Sequence, residues 1–381
     1  MLLYVSRTIG NTNGVAKSAL DVYEVLKAID PEVKVVSPVI VGASDDFLKN
    51  AHEVKPPVKN PFPSPGLGFP LAWYRYRQKK AYNKSTFGSM HPDLIVVNSL
   101  ASHELREDMQ INAPAVMIVR ESPRHFTDGN QSLSWAEKAL ASYPFLIFVS
   151  GNCRDEWRQN KRIGEIPSWY IPNCCEEHKV AEVQKHSKRE LRQKLGMTPE
   201  EFALVCVGSF SRRKGQDLLI RYLPQMVEIK PSLKLYFVGN DRNEFGDFIR
   251  TQLQEQNLEG SVVFTGQSDE ALSYIAAADV MMVPSRAEAL PRVVLEAMAL
   301  KTPVIASDVD GIPELIRHEI TGLLFPMDQT EALVTCFGRL VSDAKHSQEM
   351  AEQARQTYWR EFSCEKLRSR YKQAILDILS T

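Results

Sequence analysis

The stretch from Pro284 to Leu315, PSRAEALPRVVLEAMALKTPVIASDVDGIPEL, constrains this chain more than any other. Met281 to Pro284 reads as the end of a strand, and Pro303 to Ala306 as a second buried strand. Between them a loop carrying Glu288 leads into a helix opened by Pro291, where a missing N–H costs nothing and φ is already helical. The loop that follows the second strand opens another helix. Two helices therefore begin at the same edge of one parallel sheet.

Helix starts expose free N–H groups and a positive dipole end, an arrangement suited to phosphate. Glu288 precedes the first helix and Glu296 lies within it, roughly 10 Å or less from its start at the helical rise per residue. Carboxylates repel phosphate but accept hydrogen bonds from hydroxyls. Two of them beside an anion pocket suit a ligand with both phosphate and hydroxyl-rich rings, such as a nucleotide sugar. The plainer reading pairs Glu296 with Arg292 four positions back on an exposed helix face, worth ~0.3–0.5 kcal/mol, and leaves Glu288 solvated.

The run Ser285 to Ala299, with Thr302 to Asp308 and Gly311-Ile-Pro-Glu314, resembles the nucleotide-binding half of the retaining glycosyltransferases of family 4. That resemblance implies an α/β fold of two Rossmann-like domains facing each other across a cleft, the GT-B architecture. One departure is Ala289, where the family usually has glycine. If that position needs positive φ, alanine is strained there.

A chain of 381 residues can bury ample core in two or three domains. The balance of 46 basic against 47 acidic residues provides no global field for nucleic acid. The six cysteines show no CxxC spacing, which reads as a reducing compartment rather than a disulfide framework or zinc site. MLLYVSR lacks an adequate apolar leader core and no run approaches 18 apolar residues, so the expectation is a cytoplasmic protein.

Strands alternate with helices twice over. Leu2 to Val5 is a buried strand, followed by a loop of small residues and an amphipathic helix from Val15 to about Ala28. No GxGxxG supports a dinucleotide site. In the resembled family a glycine pair in this loop lies close to the transferred sugar; here Asn13-Gly14 stands in its place, or makes an ordinary turn. Val33 to Val36, Leu94 to Val97, Ala115 to Val119 and Phe145 to Val149 continue a parallel sheet covered on both faces.

Between residues 55 and 90 lie seven Lys or Arg and no Asp or Glu, with Phe69, Trp73 and Tyr76 at helical spacing. Three readings stand: a surface helix on anionic lipid headgroups at the inner face of a membrane, a helix packed on the sheet with solvated basic residues, or a site for an anionic acceptor. Polar loops at Asn98 to His103 and Arg120 to His125 follow two strands, and ligands in such sheets bind beyond strand carboxyl ends. The family commonly has His after the second of these strands; here Arg120-Glu121 falls there, leaving His103, Glu121 and His125 as candidates.

Ile171-Pro-Asn-Cys resembles the family's interdomain junction, with Glu176 to Lys188 as linker and a helix ending near Gly196. The pattern then restarts with a strand at Ala203 to Val207 and the loop Gly208-Ser-Phe-Ser-Arg-Arg-Lys-Gly215 before a helix near Gln216. A glycine-flanked basic turn approaches phosphate closely. Leu233 to Val238, Val262 to Phe264 and Asp279 to Val283 complete the second sheet. By resemblance, Lys214 matches the lysine on the donor diphosphate, Ser209 replaces an arginine for which Arg213 or Arg212 compensates, and Phe264 to Gly266 cradles the base by backbone.

The expected organisation is an acceptor-binding domain over 1–172, a donor-binding domain over 173–357, and a last helix over about 358–381 returning to the first. The resemblance implies a retaining transfer of sugar from a nucleoside-diphosphate sugar to a saccharide or lipid-linked hydroxyl in polysaccharide or glycolipid assembly. It makes Glu288, Lys214 and Arg213, with His103 and Glu121, the catalytic candidates. Donor contacts fall to Gly14, Gly208, Gly266, Ala289, Leu290, Arg292, Val293 and Glu296. No cofactor, metal or nucleic acid is expected, since Asp308-Val-Asp310 is explained as a loop leading to Gly311. The alternatives are a sugar-nucleotide epimerase of the same fold or a catalytically silent nucleotide-sugar-binding subunit.

Overall fold

The computed structural model describes residues 1–6, 9–10, 14–37, 40–41, 51–53, 90–126 and 132–381. The 55–89 segment singled out above lies outside them, as does Asn13. The described chain divides into two compact units, Met1–Ile171 with Arg368–Thr381, and Pro172–Leu367. Among the described residues no helix is long and apolar enough to cross a membrane.

In the first unit the strands are β1 Leu2–Ser6, β2 Ile9–Gly10, β3 Lys34–Ser37, β4 Ile40–Val41, β5 Ala51–Glu53, β6 Leu94–Asn98, β7 Ala115–Val119, β8 Phe145–Phe148 and β9 Ser168–Tyr170. Seven form one sheet in the order β5-β3-β1-β6-β7-β8-β9, and β2 pairs β4. Neighbouring strands of the seven-stranded sheet run parallel. Residues of β1, β6 and β7 are buried throughout, as strands covered on both faces must be. Their apolar runs pack with Leu100, Met109, Leu140 and Trp157 into one core.

The second unit repeats the plan with β10 Phe202–Val207, β11 Leu233–Val238, β12 Val262–Gly266, β13 Val280–Val283, β14 Val304–Ser307 and β15 Leu323–Phe325. Their order, β12-β11-β10-β13-β14-β15, is that of a doubly wound Rossmann-like sheet, and the two α/β units confirm the expected fold class. The chain reverses its direction of winding between β10 and β13, which opens a crevice at their carboxyl ends. Leu204, Phe237, Met282, Ile305 and Phe337 anchor the core beneath it. Fully burying such a side chain contributes on the order of 1.5–3 kcal/mol.

Several local readings are corrected. Glu177–Val183 is a helix rather than linker, seated by fully buried Val180. The ending is not one helix: a wide turn at Tyr358–Phe362 closes before Ser363, and the last helix runs Cys364–Leu379. Pro291 has φ −70° and ψ 120°, so it caps the helix and Arg292–Leu300 carries the helical turns. Cys174 and Cys364 form a disulfide across 190 residues, with Cα atoms 5.3 Å apart, where the sequence reading expected thiols. Chain spacing offers no signal for a pair so distant.

Candidate functional site

The site is built where the exits of β10 and β13 meet. After β10 the chain turns through Gly208, at φ 150°, and Arg212–Lys214 make one tight helical turn before Gly215 at φ 71°. A Cβ on Gly215 would lie 1.9 Å from the Pro284 carbonyl oxygen, so only glycine lets this loop rest on the β13 exit. A Cβ on Gly239 would lie 2.3 Å from the Gly208 carbonyl oxygen, which brings the β11 exit equally close. Gln216, 1% exposed, laces the loop from below: its Nε2 donates to the Ser209 carbonyl at 3.3 Å, and its Oε1 accepts from Ser211 N at 3.4 Å.

The loop after β13 is stitched to this turn. Arg286 N donates to the Arg213 carbonyl at 2.7 Å, and the Arg286 guanidinium holds the Arg212 carbonyl and both oxygens of Asp217. Buried Ser307 donates its hydroxyl to the Ser285 carbonyl at 2.5 Å. Glu288 N donates to Asp310 Oδ2 at 2.9 Å, and Gly311 N to the Glu288 carbonyl at 3.1 Å. Glu288 is thereby fixed from two sides.

Its carboxylate is the meeting point. Lys214 Nζ lies 2.5 Å and Arg213 Nη1 3.0 Å from Glu288 Oε1, and Ser285 Oγ donates to the same oxygen at 3.2 Å. Arg213 also donates to the Ala287 carbonyl at 2.8 Å. Burial pushes the Glu288 carboxyl upward, but the Lys214 and Arg213 charges, with the hydrogen bonds from Lys214 and Ser285, outweigh it and hold it at about 2. The group is ionised at neutral pH, an acceptor of hydrogen bonds and not a proton donor. Two cations on one carboxylate leave one positive charge over, and both remain partly exposed, at 35% for Arg213 and 20% for Lys214. Such a cluster is a fit receiver for an anion.

Glu296 and Arg292 are each 7% exposed, which removes the reading of a solvated helix pair. Ala289 is 7% exposed and is not among the residues with positive φ, so alanine carries no backbone strain there. Leu290 offers its carbonyl to Asn173 Nδ2 at 3.0 Å. Gly266, at φ 70°, ends β12 and accepts from Gly239 N at 2.9 Å, so Gly208, Gly239 and Gly266 follow one another along the sheet edge. Val293 lies in the first turn of the Arg292–Leu300 helix.

The remaining candidates belong to the first unit. Gly14 opens the Gly14–Ile29 helix. Glu121 Oε2 accepts from Arg120 N at 3.0 Å and Leu100 N at 3.3 Å, tying the exits of β6 and β7 together. Burial pushes its carboxyl upward against those two bonds. His103 Nδ1 lies 3.1 Å from the Tyr143 hydroxyl, and burial lowers its pKa, favouring the neutral ring. Arg120 Nε donates to Asn98 Oδ1 at 2.7 Å, and Asn98 Nδ2 to Ser6 Oγ at 3.2 Å, making a polar row across the ends of β7, β6 and β1.

A basic turn and a buried acid assembled at such a switch point invite comparison with known proteins. Residues 187–357 match the family of glycosyl transferases, group 1. The matched stretch holds the whole Lys214, Arg213 and Glu288 cluster. The chain is 30% identical over 196 residues to the N-acetyl-alpha-D-glucosaminyl L-malate synthase of Bacillus anthracis, covering 51% of this chain and 50% of that one. It is 28% identical over 215 residues to the lipopolysaccharide 1,2-N-acetylglucosaminetransferase of Salmonella typhimurium, covering 53% and 55%. The chain thus spans about half the length of these curated relatives. The structure of HepE from Anabaena in complex with UDP-glucose shares the fold, with a TM-score of 0.78 at 20% identity over 99% of each chain.

Gln216, Asp217, Arg286, Asp310 and Gly239 were missed by sequence reasoning. Gly239 alone left a signal, a glycine directly after an apolar strand; the others act through partners up to 74 residues away.

Proposed function

We propose that the protein is a retaining glycosyltransferase of family 4, moving a sugar from a nucleoside-diphosphate sugar to a hydroxyl of a saccharide or lipid-linked acceptor in polysaccharide or glycolipid assembly. The observation that carries this reading is the convergence of Lys214 and Arg213 on Glu288 at the β10/β13 switch point, inside the glycosyltransferase domain. UDP-glucose bound to a protein of the same fold supports a nucleotide-sugar donor, and the Salmonella relative supports a saccharide acceptor.

In this reading Lys214 and Arg213, partly exposed and aimed by Glu288, take the diphosphate. Charge builds on the leaving phosphate oxygens as the bond to the sugar breaks, and donors positioned beforehand lower that barrier without reorganising. No metal takes part in this reading. Glu288, ionised at neutral pH, accepts hydrogen bonds from sugar hydroxyls, and Glu296 from the ribose. With a carboxyl held at about 2, Glu288 is unsuited to the general acid role of a glycoside hydrolase. The acceptor hydroxyl attacks on the face the phosphate leaves, and that phosphate takes its proton.

Residues 1–172 bind the acceptor and 173–357 the donor in this assignment, with His103 and Glu121 on the acceptor side and the 55–90 stretch available to an anionic membrane surface. Titration with uridine, guanosine and adenosine diphosphate sugars, followed by transfer assays, tests the proposal. Binding without turnover selects the silent subunit instead, and conversion of the donor without transfer selects the epimerase.

A further inference from the structure

The chain passes from the first unit to the second between Ile171 and Pro172, and back between Leu367 and Arg368. Beside both passages, inside the second unit, lies the Cys174–Cys364 disulfide. Its surroundings are built with care. Glu177 Oε1 accepts from Cys364 N at 2.7 Å and from the Tyr358 hydroxyl at 3.0 Å. That hydroxyl in turn accepts from Cys175 N at 3.3 Å and from the Cys175 thiol at 3.0 Å. One carboxylate and one fully buried phenol thus gather both ends of the covalent tie.

The residue next to Cys174 points the other way along the structure. Asn173, 9% exposed, donates to the Leu290 carbonyl at 3.0 Å across 117 residues. Leu290 immediately precedes Pro291, the cap of the Arg292–Leu300 helix, and follows Glu288 by two residues. Fixing that carbonyl fixes the peptide from which the helix springs, and with it the direction of its free N–H groups. Cys174, which follows Asn173 directly in the chain, carries the disulfide to Cys364.

We propose that Asn173 is a positioning residue for the donor site and that the Cys174–Cys364 disulfide holds it in place, so that nucleotide binding responds to dithiol reductants. The inference rests on the reading of the Lys214–Glu288 cluster as that donor site. The chemistry is ordinary exchange with a small dithiol. A thiolate of the dithiol attacks Cys364 Sγ, on the half-buried residue, whereas Cys174 is 1% exposed. The protein S–S bond breaks and Cys174 leaves as thiolate and takes a proton. The second thiol of the dithiol then closes on the first and releases Cys364 as a thiol. Two electrons and two protons pass to the protein. Cys175, adjacent in sequence, does not shuffle the pair at neutral pH, because burial pushes its thiol up to about 12.

The experiment uses the full chain, oxidised or treated with dithiothreitol, with alkylation and mass spectrometry to count thiols. Calorimetry with uridine, guanosine and adenosine diphosphates gives affinity, and hydrogen exchange at residues 288–296 gives a readout independent of any nucleotide. Reduction and Cys174→Ser are each expected to weaken nucleotide binding about tenfold, the scale of one lost hydrogen bond, and to speed exchange at 288–296. Asn173→Asp, which keeps the size and loses the donated hydrogen, is expected to weaken binding alike in both redox states. Equal affinity before and after complete reduction overturns the inference and leaves the donor site standing. If no nucleotide binds even the oxidised protein, the donor-site reading falls, and unchanged exchange on reduction then separately overturns the tie. Recovery of Cys174 and Cys364 as free thiols from air-oxidised protein also overturns it.

Discussion

Arg286 forks onto Asp217, its two terminal nitrogens 2.8 and 2.7 Å from the two carboxylate oxygens. The pair joins the first turn of the Gln216–Ile229 helix to the loop that carries Glu288. Both side chains are about three-quarters shielded from water, at 25% and 22% exposure, so the fork is more than a surface ion pair. Asp217→Asn keeps the shape and loses the charge. It is expected to cost about 1 kcal/mol of stability by denaturant unfolding. It is also expected to weaken nucleotide binding, although Asp217 touches no ligand in the proposal.

Gly215→Ala tests how closely the two loops approach. The added methyl would meet the Pro284 carbonyl oxygen at 1.9 Å, on a residue with φ 71°. Overpacking and the left-handed backbone together predict a loss of about 2–4 kcal/mol, read as a lowered denaturant midpoint. A midpoint equal to that of the native chain would mean that the β10 and β13 exits do not touch as described.

Ala289→Gly tests the departure from the resembled family in the opposite direction. Since Ala289 lacks positive φ, glycine relieves nothing and only widens the unfolded ensemble. A loss of about 0.5–1 kcal/mol is expected, with a gain marking strain at this position.

Glu288 gives a pH dependence with a definite sign. Its folded carboxyl is held at about 2 against an ordinary value of 4.5, so the native state binds its proton less readily than the unfolded chain. The stabilisation is fully present above about pH 4.5 and is lost as pH falls toward 2, amounting to roughly 3 kcal/mol for that difference. Glu288→Gln should remove this component of the acid decline. Chemical unfolding between pH 5 and pH 2 compares the two slopes, and identical slopes would contradict the Lys214 and Arg213 pairing.

How much of this was legible in the residues follows from how local each feature is. The runs at Leu94 to Val97 and Leu233 to Val238 announced themselves, because a strand buried on both faces must be apolar throughout. The loop from Gly208 to Gly215 and the acid at Glu288 were visible for the same reason, each being a short signal at a strand exit. What stayed hidden was pairing across distance. Asp217 and Arg286, or Cys174 and Cys364, carry no mark of each other in the chain. The reach of Asn173 to Leu290 and the role of Gln216 beneath Ser209 are likewise products of the packed sheet. Periodicity joined Tyr358 to the last helix because a wide turn keeps side chains near helical spacing, while the extended backbone of Ser363, which separates the two, leaves no mark in that spacing.

The most direct test of the account is calorimetric titration of the native chain and Lys214→Ala with uridine, guanosine and adenosine diphosphate sugars. One nucleotide sugar is expected to bind the native protein, and Lys214→Ala, folded by circular dichroism, to bind it about 10- to 100-fold more weakly, as loss of a charged hydrogen bond to phosphate requires. Equal affinity in the two proteins, or no binding of any nucleotide sugar by the native chain, would contradict the claim that Lys214, Arg213 and Glu288 form a donor site.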